Sequence, residues 1–67
     1  MPGTQNYWFA IQPAEGGSML FGPFTRHDAR DQHQFAQQQV TATDRLSPVF
    51  YATGRKQVEL HATLYLP

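Results

Sequence analysis

Near its C-terminal end the chain reads VELHATLYL, with Val58, Leu60, Ala62, Leu64 and Leu66 alternating against Glu59, His61, Thr63 and Tyr65. Successive side chains of a strand point to opposite faces, so an unbroken period of two describes a ribbon with one buried side and one wet side. A slip of one residue would expose every apolar side chain of the set, which pins the register. The expectation is a long β-strand. VFYAT, Val49–Thr53, is expected to pair with it as a hairpin, Thr53-Gly54-Arg55-Lys56 supplying the turn.

The first half of the chain is punctuated more sharply. YWFAIQ, Tyr7–Gln12, is aromatic and β-branched and reads as a strand with Tyr7, Phe9 and Ile11 on one face and Trp8 on the other. PAEGGS interrupts it, and MLF gives a short second strand ending at Gly22, antiparallel because the connection is short. Gly22-Pro23 closes that strand, since Pro cannot donate to a ladder and Gly accepts a bend. Thr25 is a helix N-cap with Asp28 three residues on, and Phe24 is placed to staple onto the first turn near Ala29. The helix is expected from Arg26 to Gln38 or Gln39. Ala29, Gln32, Ala36 and Val40 gather on its apolar side, with Phe35 at the margin, and His27, Arg30, Asp31, Gln34 and Gln38 face water. TATDRLSP then reads as a loop. With Met1–Asn6 as a loose lead-in, residues 1–67 form a single α+β domain: β-β-α-β-β, an antiparallel sheet with one helix packed on one face.

Composition excludes more than it proposes. Five Lys plus Arg balance five Asp plus Glu, which argues against a protein that neutralises many phosphates and leaves little repulsion to oppose self-association. The 67 residues contain no Cys, so neither disulfides nor thiolate-bound metal reinforce the core. His27 and Asp31 are spaced as an exposed i,i+4 pair, but His61 is expected on the wet side of a distant strand, so no metal site is anticipated. Ser18 and Ser47 fall in turns without a neighbouring base, and Glu15, Asp28, Asp31, Asp44 and Glu59 show no paired arrangement. Gly16-Gly17 and Gly22 match no phosphate-cradling spacing. Neither an enzyme nor a cofactor is expected. No apolar run is long enough to span a bilayer and the start lacks a secretory pattern, so the expected setting is cytoplasmic.

Aromatic residues, at 13%, are the surplus that needs a use. Trp8, Tyr65 and one of Phe50 or Tyr51 are expected to share the sheet face that the helix leaves uncovered, and exposed aromatic clusters mark contact sites. The succession of an aromatic strand carrying Trp8, then Gly22-Pro23-Phe24-Thr25 leading into a helix, then another strand pair resembles GYF-type adaptor domains over Tyr7–Tyr51. The Gly-Tyr-Phe tripeptide that names that family is absent, Phe50-Tyr51 being its nearest echo, without the Gly. The resemblance implies a β-β-α-β-β arrangement and an aromatic surface for proline-rich peptides to which Trp8 and Phe24 contribute. The resulting expectation is a small non-enzymatic interaction module. It offers Trp8, Phe24, Tyr51 and Tyr65, or a strand edge, to a protein or peptide. One rival is a homo-oligomeric structural protein whose aromatic face is its own dimer interface. Another is a phage or mobile-element accessory protein binding an enzyme or nucleic acid, the charge balance speaking against nucleic acid.

Overall fold

The aromatic strand near the start of the chain becomes the centre of the sheet. The computed structural model describes residues 4–67; of the expected lead-in, residues 1–3 lie outside the described part. The elements are β1 (Tyr7–Gln12), β2 (Met19–Phe24), α1 (Arg26–Gln39), β3 (Arg45–Leu46), β4 (Phe50–Tyr51) and α2 (Arg55–Tyr65). The chain is a small α+β domain with an antiparallel sheet and a helix packed on one of its faces, as the sequence implies. It differs from expectation in what covers the other face.

β2 pairs along one edge of β1, with Ile11 opposite Met19, Ala10 opposite Leu20 and Phe9 opposite Phe21. The strand does not stop at Gly22 as expected. It continues through Pro23 to Phe24, which faces Tyr7, and the register shifts between Phe9 and Tyr7 so that Trp8 lies against the Gly22-Pro23 irregularity. An extra residue on one strand is how a ladder accommodates a Pro it cannot bond.

The other edge of β1 is filled in two pieces rather than by one strand at 49–53. Arg45 and Leu46, in the expected loop, pair with Gln12 and Ile11, and Phe50 and Tyr51 pair with Trp8 and Tyr7. Ser47 bridges the gap. Its N–H donates to the Ala10 carbonyl at 2.9 Å, and its Oγ accepts from the Ala10 N–H at 2.8 Å, so a hydroxyl stands where a strand carbonyl would be. That hydroxyl donates to the Pro48 carbonyl at 2.9 Å, and the Ser47 carbonyl accepts from His33 Nε2 at 2.7 Å. A carbonyl can only accept, which fixes the proton of His33 on Nε2. Every polar group of this buried serine is thus satisfied. Ser47→Ala leaves the Ala10 N–H buried without its acceptor, and a loss of about 1–3 kcal/mol is expected, read as a lower urea midpoint at unchanged slope.

α1 follows its sequence signals. Thr25 is the N-cap and its Oγ1 accepts from the Asp28 N–H at 3.2 Å. Ala29 and Ala36 are buried, but the position between them is taken by half-buried His33, while Gln32 and Phe35 are exposed. The contact line is therefore 29, 33, 36, a stripe of i, i+4, i+7. His33 meets Phe9 edge-on with ring centroids 5.3 Å apart, and Phe9 is stacked with Phe21 at 5.2 Å and with Phe24 at 6.1 Å. The Phe24 ring thus packs on the sheet's Phe9. The alanines let the helix sit low on this aromatic layer.

The expected C-terminal strand is a helix. α2 buries Val58 and Ala62, with Leu66 just beyond its last turn, and exposes Leu60 and Leu64 by 66% and 74%. Positions four apart lie on one face of a helix as well as on one face of a strand, so Val58, Ala62 and Leu66 satisfy both periods. Leu60 and Leu64, offset by two, do not. The residues between favour the helix: Lys56, Gln57, Glu59, Leu60, Ala62 and Leu64 are all good helix formers, against β-branched Val58 and Thr63. Gln57 Oε1 accepts from the Thr53 N–H at 2.9 Å and from Thr53 Oγ1 at 3.1 Å, tying down the entry to the first turn. The buried stripe packs on the sheet face opposite α1: Ala62 and Leu66 against Ala10, and Val58 against Phe50 and Ala52 with Trp8 alongside. Changing Leu60 and Leu64 together to Gln is expected to alter stability by less than about 0.5 kcal/mol in thermal melts, a result that a buried leucine face could not give.

Candidate functional site

A cleft opens where β1, β2 and the start of α2 meet. It has a volume of about 410 Å³ and is lined by Trp8, Leu20, Pro23 and Val58, with Asn6 and the Ala52–Arg55 segment around it. That is within the roughly 300–1,000 Å³ range of small-ligand clefts.

Trp8 is held rather than merely present. Its Nε1–H donates to the Ala52 carbonyl at 3.1 Å, and its ring packs against the buried group of Phe50, Ala52 and Val58. Ala52 is in turn placed by its N–H, which donates to the Asn6 carbonyl at 2.9 Å and carries the ladder one residue beyond β4. On the β2 side the indole meets Gly22, whose φ is +143°. A Cβ at Gly22 would lie 2.8 Å from Trp8 Cε3 and 2.8 Å from the Tyr7 carbonyl oxygen. The glycine is therefore required both by its backbone conformation and by its close approach to the ring.

The expected aromatic quartet is divided by the sheet. Phe24 and Tyr51 belong to the α1 face, Phe24 stacked on Phe9 and Tyr51 edge-on to Tyr7 at 5.3 Å. Trp8 and Tyr65 belong to the α2 face, and Phe50, buried on that face, stacks with Tyr65 at 5.8 Å. The shared uncovered surface anticipated for Trp8, Tyr65 and Phe50 is not there, because α2 occupies it. Tyr51 and Tyr65 remain about half exposed, while Trp8 and Phe24 are half-buried.

Charges around the cleft are few. Arg55 Nε lies 3.7 Å from Glu59 at i,i+4, both side chains largely in water, a pair that contributes little and leaves the guanidinium free to turn. His27 and Asp31 form the expected exposed i,i+4 pair at 3.3 Å. Among the described residues no three His, Asp or Glu side chains come together as a metal-ligand set. His61 lies against Phe50, and its Nδ1 is buried without a hydrogen-bond partner. Among the described residues no helix is long and apolar enough to cross a membrane.

Trp8 is the residue of this site that sequence reasoning singled out. Leu20, Pro23 and Val58 were missed as cleft residues because their convergence depends on α2 being helical. No protein-family model, curated protein or solved structure matches the chain. The likeness to GYF-type domains rests on the residues quoted above.

Proposed function

We propose that the chain is a small non-enzymatic interaction module that receives an apolar side chain of a protein or peptide partner in the cleft beside Trp8. The observation that supports this most directly is the indole itself: fixed at its N–H by Ala52, backed by Gly22, and bordering an apolar cleft of about 410 Å³. A rigid aromatic wall with its polar atom already satisfied binds by hydrophobic burial at small entropic cost. The resemblance to GYF-type domains points to proline-rich segments as the first ligands to try, and a cytoplasmic setting suits a cysteine-free chain.

The test is a fluorescence titration of Trp8, the single tryptophan of the chain. A panel of capped peptides containing proline-rich and leucine-bearing members is expected to include one that shifts the indole emission saturably. Leu20→Asp, at a partly exposed position on the cleft wall, is expected to weaken that peptide about tenfold or more while far-UV circular dichroism stays unchanged. A panel without a saturable response, or full binding by Leu20→Asp, contradicts the reading.

One observation favours a second reading, self-association: Leu60 and Leu64 stand on the side of α2 opposite its buried stripe. A solution mass of twice the monomer that reverts when both become Gln would establish it.

A further inference from the structure

β2 is an edge strand: among the described residues, only β1 pairs with it. Which of its backbone groups are left over follows from Ala10, the β1 residue opposite Leu20. The Ala10 carbonyl accepts from the Ser47 N–H at 2.9 Å and the Ala10 N–H donates to Ser47 Oγ at 2.8 Å, so both point away from β2. In an antiparallel ladder, directly opposite residues exchange both of their bonds or neither. The N–H and C=O of Leu20 therefore point out of the sheet's edge, a donor and an acceptor with no partner among the described residues. Sheet edges are commonly blunted by charge, Pro or a bulge. Here the Gly22-Pro23 irregularity guards one end, whereas Ser18–Phe21 carries no charge, and Met19 and Leu20 are exposed by 49% and 39%. On the α1 face the same edge borders an apolar depression of about 250 Å³, lined by Phe9 and Ile11 of β1, Phe21 of β2 and, on α1, chiefly Phe35 and Ala36. No residue of β3 or β4 lines it, so Phe35, 61% exposed, stands on the β2 side of α1.

We infer that two copies of the chain join antiparallel through their β2 edges into one continuous sheet, with Leu20 facing the partner's Leu20 across a two-fold axis. Leu20 then exchanges both of its free backbone bonds with its counterpart. Met19 lies opposite Ile11 in the β1–β2 ladder and so shares the α1 face with Phe21. In the symmetric register it comes opposite the partner's Phe21, on the side where the partner's Phe35 stands. One contact thus covers Met19, Leu20 and Phe35, three exposed apolar side chains. The open backbone groups select a strand as the occupant, since a helix spends its own within itself. The surroundings select a second copy. Gln32 and Gln39 are the polar lining on the α1 face, so a foreign strand finds no charge there to be recognised by, and a formal net charge of zero leaves two copies without repulsion. The inference uses neither the Leu60 and Leu64 side of α2 nor any ligand in the Trp8 cleft.

The test is sedimentation equilibrium of the full chain from about 10 µM to about 1 mM, the range in which a small interface assembles. The mass is expected to rise from one chain to two. A synthetic chain methylated at the Leu20 backbone nitrogen loses the donor of both bonds between copies and keeps every bond within a copy, so its dimer should be weaker by about tenfold or more. Met19→Lys, at an exposed side chain, sets a charge against the partner's Phe21 and should weaken the dimer to a similar extent while far-UV circular dichroism stays unchanged. Changing Leu60 and Leu64 together to Gln should leave the dimer intact. In a mixture of isotopically labelled and unlabelled chains, contacts between copies are expected from the Met19 methyl to the Phe21 and Phe35 rings. A chain that is monomeric throughout overturns the inference, as does a dimer that withstands both the methylation and Met19→Lys. A dimer that only the leucine changes dissolve overturns it too, and places the interface on α2.

Discussion

Replacing Phe9 by Ala is expected to lower the thermal midpoint by roughly 12–40 °C, enough to leave much of the chain unfolded near body temperature. Phe9 is 2% exposed, central in the sheet, and touches Phe21, Phe24 and His33 through ring contacts of 5.2, 6.1 and 5.3 Å. Removing a buried phenylalanine costs about 3–5 kcal/mol in transfer and cavity terms together. A domain of this length has only roughly 3–10 kcal/mol of stability in total, and in so small a chain each kcal/mol moves the midpoint by about 4–8 °C. The helix above contributes alanines at 29 and 36, and its one ring against Phe9, His33, is held by the Ser47 carbonyl, so the gap closes only in part. A midpoint shift under about 5 °C in differential scanning calorimetry would mean that the aromatic layer under α1 is not the core.

The second large effect is expected at Gly22. An alanine there meets an unfavourable φ of +143° and places its Cβ 2.8 Å from both a backbone carbonyl and the indole ring. Backbone strain of about 1–3 kcal/mol and overpacking of about 1–3 kcal/mol combine to roughly 2–4 kcal/mol when the site relaxes in part. The relaxation is the informative part. Both the Tyr7 carbonyl and the ring must move away from the new Cβ, and Trp8 emission should shift to the red as the indole loosens from Ala52. A stable Gly22→Ala chain with unaltered Trp8 emission would show that Gly22 does not set the ring's position.

Local signals made half of this fold legible. β1 was announced by its aromatic and β-branched run, and α1 by Thr25, Asp28 and the spaced alanines, features that act within a few residues of themselves. α2 was concealed by arithmetic: the period of two in Val58–Leu66 contains the period of four that Val58, Ala62 and Leu66 need. What tipped the balance was the helix-forming character of the residues between them and the bracing of Thr53 by Gln57, both present in the sequence and outweighed there by the regularity of the alternation. Ser47 was beyond the reach of sequence for a different reason. Its partner Ala10 is 37 residues away, and a serine before a proline reads locally as a turn. The candidate site inherits this division. Trp8 stood out as a surplus ring, whereas Leu20, Pro23 and Val58 became its neighbours only once α2 covered the face that a fourth long strand would have left open.

The account turns on α2 being a helix that packs beside Trp8, and a nuclear Overhauser spectrum of the isotopically labelled free chain tests that most directly. The expected result is an unbroken series of sequential amide–amide contacts from Arg55 to Tyr65 together with contacts between the Val58 methyls and the Trp8 indole. Strong sequential Hα–amide contacts through Val58–Leu66, joined by cross-strand Hα–Hα contacts to Val49–Thr53, would restore the strand, remove the wall of the cleft and contradict the account.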